Sequence, residues 1–253
     1  MKTVHVGGVP FRATDLAESV NWLMSAIQRG DPTSIRLANA YCVSLTRDDA
    51  TYRDLLCSAG ANLPDGAPVA LVMRAKGAPT AQRVRGPSFF ERALLSQELH
   101  GSRPFFLGST PETLAALEDT LRERYPSLKA AGFYSPPYAP VSESFLEECE
   151  GAVRSSSANM IWVGLGTPKQ DYVSTALAAR LGMPAAGVGA AFDFLAGTVP
   201  EAPPWVQRSG FEWAYRFAAE PRRLWKRYTV GNIKFCLQVA TKWRSTSDKE
   251  QPS

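Results

Sequence analysis

The regular alternation through the middle of the chain constrains its fold most. From Arg103 onward, short apolar runs at 105–107, 128–133, 160–163 and 185–188 are separated by stretches of helical periodicity at 111–125, 142–155 and 167–181. Strands alternating with helices of roughly 10–15 residues indicate a parallel sheet with helices on both faces. The sharpest unit spans 157–171. Met160 to Val163 is too brief for a helix, Gly164 and Gly166 interrupt it, Thr167 offers an N-cap, and Pro168 suits a first helical position. Such a turn lies at a strand's carboxyl end, where the following helix directs unpaired N–H groups and its positive end at an anion. Lys169 and Gln170 add a cation and an amide there. A Gly-x-Gly without a third glycine fits an ordinary strand-to-helix turn equally well.

The N-terminal third reads as two short strands, 3–6 and 9–11, around Gly7-Gly8, and then a helix over 15–29 with Leu16, Val20, Leu23, Met24 and Ile27 at helical spacing. A strand over 34–38 ends at Asn39, and helical stretches follow at 40–46 and 48–59. Residues 62–66 read as a tight connection before a helix over 67–76, and Asp65 between Pro64 and Gly66 is common turn chemistry. A second loop, 82–87, is rich in turn formers and cations, with a helix over 88–99 after it. The fold class is therefore α/β: a Rossmann-like parallel sheet over 1–199, with a basic α-helical C-terminal appendage over 200–245 and a disordered polar tail over 246–253.

The net charge of the 253 residues is only +4, but between Pro204 and Ser245 nine cations face only Glu212 and Glu220, which leaves that segment at +7. This asymmetry points to an anionic partner: nucleic acid, anionic lipid or a phosphorylated ligand. Trp205, Phe211, Trp213, Tyr215, Phe217, Trp225, Tyr228, Phe235 and Trp243 are interleaved with those cations. Core packing is the expectation for most of these aromatics. Four dispersed cysteines and two histidines argue against a zinc site, a disulfide framework and a Ser-His-Asp arrangement. The N-terminus has no apolar signal core, and the longest apolar run, 183–195, carries Asp193, so neither secretion nor a membrane span is expected.

What remains is a set of polar residues at strand ends. Asn39, Asp65, Arg83, Gln170 and Asp193 follow predicted strands or occupy the loops after them, and a doubly wound sheet gathers such loops. One carboxylate among cations and amides suits general-base activation of a hydroxyl, with arginines stabilising a departing diphosphate. No Asp-x-Asp pair offers a carboxylate clamp for a divalent cation, so no metal is expected.

These residues fall within an ordered series: Asn62-Leu63-Pro64-Asp65-Gly66, Arg83-Val84-Arg85-Gly86, Tyr125-Pro126, Val163 to Gln170, Phe192 to Gly197, Glu212 to Arg216 and Glu220 to Trp225. With it the chain resembles the WecG/TagA/CpsF glycosyltransferases, family 26 of the sequence classification, from Val4 to about Phe235. The resemblance implies an inverting, metal-independent enzyme without cofactor. It moves a sugar from a UDP-sugar to a polyprenyl-diphosphate-linked saccharide, peripherally attached to the cytoplasmic face of the cell membrane, in teichoic acid, common antigen or exopolysaccharide assembly. It assigns the base to Asp65 and substrate binding to Arg83 and Gln170; Asn39, Gly164, Gly166, Lys169 and Asp193 at the same edge are further substrate-binding candidates, with Asp193 equally suited to holding the neighbouring loop. The appendage is implied to meet the membrane and bring Arg216, Arg222, Arg223 and Arg227 to the lipid diphosphate. The donor sugar stays open among N-acetylmannosamine, its uronic acid, glucose and glucuronic acid, and a homo-oligomer is compatible. Leu37 stands where the family usually has a threonine, and Gly86-Pro87-Ser88 replaces the usual sequence after the arginine loop; both bear on sugar or acceptor choice.

The same basic, aromatic segment also fits a non-enzymatic protein that binds nucleic acid or an anionic surface, although the strand-end residues then have no role. A nicotinamide-dependent oxidoreductase lacks its Gly-x-Gly-x-x-Gly turn after the first strand.

Overall fold

The computed structural model describes residues 2–209, 212–219 and 221–247. It opens with a hairpin, β1 (Thr3–Val6) and β2 (Val9–Arg12), in which Val4 pairs with Phe11 and Val6 with Val9. Gly7 and Gly8 have φ of 58° and 89°, as a two-residue turn matched to the strand twist requires. In α1 (Leu16–Arg29) the Asp15 carboxylate accepts the Glu18 N–H at 2.8 Å, and Val20, Leu23, Met24 and Ile27 form the buried stripe.

The chain continues through β3 (Ser34–Ala38), α2 (Ala40–Leu45), α3 (Ala50–Cys57), β4 (Ala61–Pro64), α4 (Ala67–Ala75), α5 (Gly86–Leu99) and β5 (Pro104–Gly108). Then follow α6 (Pro111–Arg124), β6 (Gly132–Tyr134), α7 (Glu143–Arg154), β7 (Met160–Gly164), α8 (Lys169–Leu181), β8 (Ala185–Gly187) and α9 (Ala191–Leu195). Strands β3 to β8 form one sheet in the order β4-β3-β8-β7-β5-β6, with every pairing parallel. The chain leaves β3 toward β4 at one edge and β5 toward β6 at the other. The loops at their carboxyl ends therefore part over the central β8 and β7, as at a topological switch point.

Side chains alternate between two packed faces even within all-apolar strands. Phe106, Met160 and Trp162 pack with α1, α5, α6 and α9, whereas Phe105, Leu107, Ile161 and Val163 pack with α7 and α8. Trp162 is fully buried with Phe90 edge-on at 5.0 Å, and its indole N–H donates to Gln97 Oε1 at 3.1 Å. The hairpin, α2, α3 and α4 enclose a further cluster that includes Phe235.

Three local expectations are corrected. Residues 62–64 are not part of a connection but of β4, paired to β3 from Ile35–Ala61 to Ala38–Pro64. Proline is tolerated there because β4 is the last strand of the sheet and Pro64 its last residue. Thr167 does not cap α8: the Thr167–Pro168 peptide is cis, and Pro168 takes the cap position. The Gly166 carbonyl accepts the Gln170 N–H at 2.9 Å, so α8 offers an anion fewer N–H groups than a bare helix start. Finally, β6 is only Gly132–Tyr134, later and shorter than 128–133.

The C-terminal segment is helical, as its composition predicts: α10 (Pro204–Ser209), α11 (Glu212–Ala219), α12 (Pro221–Tyr228) and α13 (Val230–Ser247). Residues 248–253 of the expected tail lie outside the described residues. Helix α13 lies on α2; Phe235 enters the core, and Gln238 donates to the Gly7 carbonyl at 2.8 Å and to Thr46 Oγ1 at 2.9 Å. Core packing of the aromatics holds for Phe235 but fails for Trp205, Trp213, Tyr215, Trp225 and Trp243, which are exposed. Short helices on a formed core bury only one stripe. On α12 that stripe includes Leu224, and Trp225, one residue on, faces away from it. Phe211 lies outside the described residues, as does the side chain of Tyr228.

Candidate active site

The register of β3 and β4 determines which polar residues meet. Ala38 pairs with Pro64, so Asn39 and Asp65 leave adjacent strands side by side at the carboxyl edge. The Asp65 N–H donates to the Ala38 carbonyl at 3.0 Å, which pins the turn, and Gly66 follows with φ 129°, a conformation that favours glycine. Asn39 caps α2 with its side-chain oxygen, which accepts the Tyr41 N–H at 3.0 Å. Its amide nitrogen makes no hydrogen bond among the described residues, and Asn39 is one of the residues that line the cleft.

That cleft holds about 150 Å³ and is lined by Asn39, Asp65, Arg83, Arg85, Glu212 and Trp213, among others. It is smaller than the roughly 300–1,000 Å³ of a pocket for a whole small-molecule ligand. It therefore suits one ring or one phosphate group, with the rest of a larger ligand lying along the open strand edge.

The C-terminal segment closes one side of the cleft. Glu212, buried at the start of α11, accepts from Arg83 Nη2 at 2.6 Å, Arg85 Nε at 2.8 Å and Arg85 Nη2 at 2.9 Å. Arg85 also pairs with Glu201, and Arg83 Nη1 donates to the Gln207 carbonyl at 3.2 Å. Burial pushes the Glu212 carboxyl up, but its hydrogen bonds and charge contacts with Arg85, and then Arg83, outweigh this and hold it below its ordinary value. Sequence reasoning singled out Arg83 and missed Arg85, Glu212 and Trp213 as cleft residues. A signal was present: Glu212 is one of two acids among nine cations.

The remaining candidates lie at the ends of β7 and β8. Gly164 is required by packing, since a Cβ there would come within 2.7 Å of the Phe192 ring. Gly166, with φ 73°, has nothing within 4 Å of that position, so its backbone stands open at the edge. Gln170 is buried, and its Oε1 accepts the Gly189 N–H at 2.8 Å, which ties α8 to the end of β8. Lys169 points elsewhere. Its ammonium donates to the Ala139 carbonyl at 2.5 Å and sits 4.0 Å from the Phe145 ring centroid, so it fastens the proline-rich loop after β6.

Asp193, half-buried in α9, accepts from Ser109 Oγ at 3.0 Å and Thr113 Oγ1 at 3.4 Å. The structure thus brings Asn39, Asp65 and Arg83 to one cleft, sets Gln170 behind the neighbouring loop, and puts Asp193 beside the end of β5. Arg222 is exposed on α12, while the side chains of Arg216, Arg223 and Arg227 lie outside the described residues.

Next to Gln170, Asp171 is fully buried and accepts the Tyr52 hydroxyl at 2.6 Å. Burial pushes its carboxyl up to about 6 against the opposing effects of that hydrogen bond and of the Arg36 charge.

The family model described as "Glycosyl transferase WecG/TagA/CpsF family" matches residues 4–249. Among curated proteins, an N-acetylglucosaminyldiphosphoundecaprenol N-acetyl-beta-D-mannosaminyltransferase of Bacillus spizizenii is 27% identical over 229 residues, which cover 90% of this chain and 87% of the relative. A protein of the same name from Bacillus subtilis is 26% identical over 241 residues, covering 94% and 91%.

Proposed function

The chain belongs to the WecG/TagA/CpsF family of glycosyl transferases, and from that premise we propose that it transfers an N-acetylmannosamine-type sugar from a UDP-sugar to a polyprenyl-diphosphate-linked saccharide. The names of its two relatives support this choice of sugar and acceptor class. The observation that carries the reading is the gathering of Asn39, Asp65 and Arg83 in one cleft at the carboxyl edge of the parallel sheet. Asp65 takes the proton of the acceptor hydroxyl as that oxygen attacks the anomeric carbon. The bond from that carbon to the phosphate oxygen breaks in the same displacement, UDP departs, and the configuration inverts. Asn39 donates its free amide to the sugar. The open backbone at Gly166 and Arg83 face the diphosphate, which leaves without metal or other cofactor.

A lipid-linked acceptor supports a peripheral attachment to the membrane, which we read as being at its inner face. No helix among the described residues is long and apolar enough to cross a membrane. Exposed Trp205, Trp225, Ile233 and Leu237 near a surplus of cations suit contact with anionic headgroups, and Arg216, Arg222, Arg223 and Arg227 complete the site around the lipid diphosphate.

The decisive experiment is transfer from a panel of UDP-sugars to a short-chain prenyl-diphosphate saccharide, with and without chelator, by wild type and Asp65→Asn. Product from one donor that is insensitive to chelator and lost in the variant is the expected result. Equal product from the variant would remove Asp65 as the base, and loss of product with chelator would remove the metal-free step.

A further inference from the structure

A second polar cluster lies across the sheet edge from Asp65. Ser109, the residue directly after β5, has φ 60°, the only positive value for a residue other than glycine among the described residues. A serine in the left-handed region is strained, and such strain persists where the surroundings enforce it, commonly at ligand sites. Here they do. The Ser109 N–H donates to the Gly164 carbonyl at 2.9 Å, and the Ser109 carbonyl accepts from Ser135 Oγ at 2.7 Å. The ends of β7 and of β6 thus hold it from two sides. Its hydroxyl reaches Asp193 Oδ1 at 3.0 Å, where Thr113 Oγ1 also arrives. Among the described residues Oδ2 of Asp193 receives no hydrogen bond.

An ionised carboxylate oxygen only accepts, so its natural ligand is a hydroxyl and not a phosphate. Strand β5 is four positions from β4 in the sheet, about 19 Å at about 4.8 Å per strand. A donor whose anomeric carbon lies at Asp65 and whose length follows the edge brings a hydroxyl-bearing ring toward Ser109. We propose that Ser109 is a positioning residue for the donor: it fixes the Asp193 carboxylate through Oδ1 and leaves Oδ2 to accept a donor hydroxyl. This rests on the proposed function, in which a UDP-sugar lies with its anomeric carbon at Asp65.

The test compares Ser109→Gly, Ser109→Ala and Asp193→Asn by donor KM, kcat, inhibition by UDP, and Tm. Glycine removes the hydroxyl and suits the backbone, whereas alanine removes it and keeps the strain. Binding should follow the hydroxyl and stability the backbone. Donor KM should rise roughly 5-fold in both Ser109 variants, with kcat and acceptor KM within about 2-fold, as for lost uniform binding. Tm should fall in Ser109→Ala alone, and Asp193→Asn should raise donor KM at least as much as Ser109→Gly. UDP inhibition should weaken in parallel, because at about 19 Å from Asp65 only the nucleotide end of the donor, and not the transferred sugar, can reach Asp193; undiminished inhibition by UDP would overturn the contact. An unchanged donor KM in Ser109→Gly beside a raised one in Asp193→Asn would overturn the positioning role and spare the donor reading. An unchanged value in Asp193→Asn would overturn the donor role of Asp193 itself.

Discussion

Glu212 is the residue whose loss should be felt most widely, because two guanidinium groups share its carboxylate in a buried setting. Glu212→Gln keeps the shape but leaves Arg85 buried beside a neutral amide, and breaking such a pair should cost about 3 kcal/mol in urea unfolding. A cost under about 0.5 kcal/mol would mean that solvent screens the pair as it does at a surface. A folded-state carboxyl held below its unfolded value adds stability above the unfolded value, and this is lost as pH falls through the folded one. The wild type should therefore lose stability more steeply than Glu212→Gln below about pH 4.5. The sign reverses at Asp171, whose folded value is raised to about 6. Its burden on the fold grows as pH rises from the ordinary aspartate range to about 6 and is complete above that. Tyr52→Phe removes the hydroxyl that donates to Oδ2 and should cost about 1–3 kcal/mol at pH 8, and less at pH 5, where the carboxyl is protonated. Equal costs at both pH values would show that the charge on Asp171 is immaterial. At this scale Asn39, Asp65 and Arg83 were legible because strand ends converge in an α/β sheet. Arg85 and Glu212 were not, since their contact spans 127 positions and nothing local encodes it.

Among the elements, the β4–α4 turn carries the candidate base, and its geometry depends on a backbone conformation more than on packing. A Cβ at Gly66 would lie 3.5 Å from Asn39 Cβ, an ordinary contact, but φ 129° is strained for any L side chain. Gly66→Ala should thus cost roughly 1–3 kcal/mol and reduce kcat by more than that loss of stability explains, because Asp65 moves with the turn. A variant with lowered Tm and wild-type kcat would separate Asp65 from the chemistry. The turn was readable from Pro64-Asp65-Gly66, whereas the strand before it was not. Asn62 and Pro64 are poor strand formers, and what makes 61–64 a strand is pairing with β3 and the Asn62 amide donating to the Pro10 carbonyl at 2.7 Å. The start of α8 shows the same limit. Thr167-Pro168 has helix-start chemistry, but the local backbone puts Pro168 in the cap position, and the Gly166 carbonyl takes up one of the first N–H groups.

For the whole molecule, the alternation of strands and helices made the parallel sheet legible in advance, because burial on both faces imposes it on the sequence. The C-terminal segment was less so. Its helices and charge were evident, but aromatic residues at helical spacing suggested a core, and only part of the segment enters one. Phe235 and Gln238 anchor α13, while Ile233 and Leu237, one turn apart, remain 62% and 50% exposed. Two apolar side chains at that spacing form a face without a protein partner among the described residues, consistent with the proposed membrane contact. Because both are exposed, Ile233→Glu with Leu237→Glu should leave Tm within about 2 °C. Flotation with anionic vesicles should fall several-fold, and the residual binding should be more sensitive to salt, since only the cations then hold the surface. Transfer to a full-length lipid acceptor in vesicles should fall in step, while transfer to a short-chain, water-soluble acceptor should not, since the cleft at Asp65 is untouched. Loss of both activities would mean that α13 supports the cleft and not the membrane contact, and loss of neither would move the membrane-facing surface elsewhere.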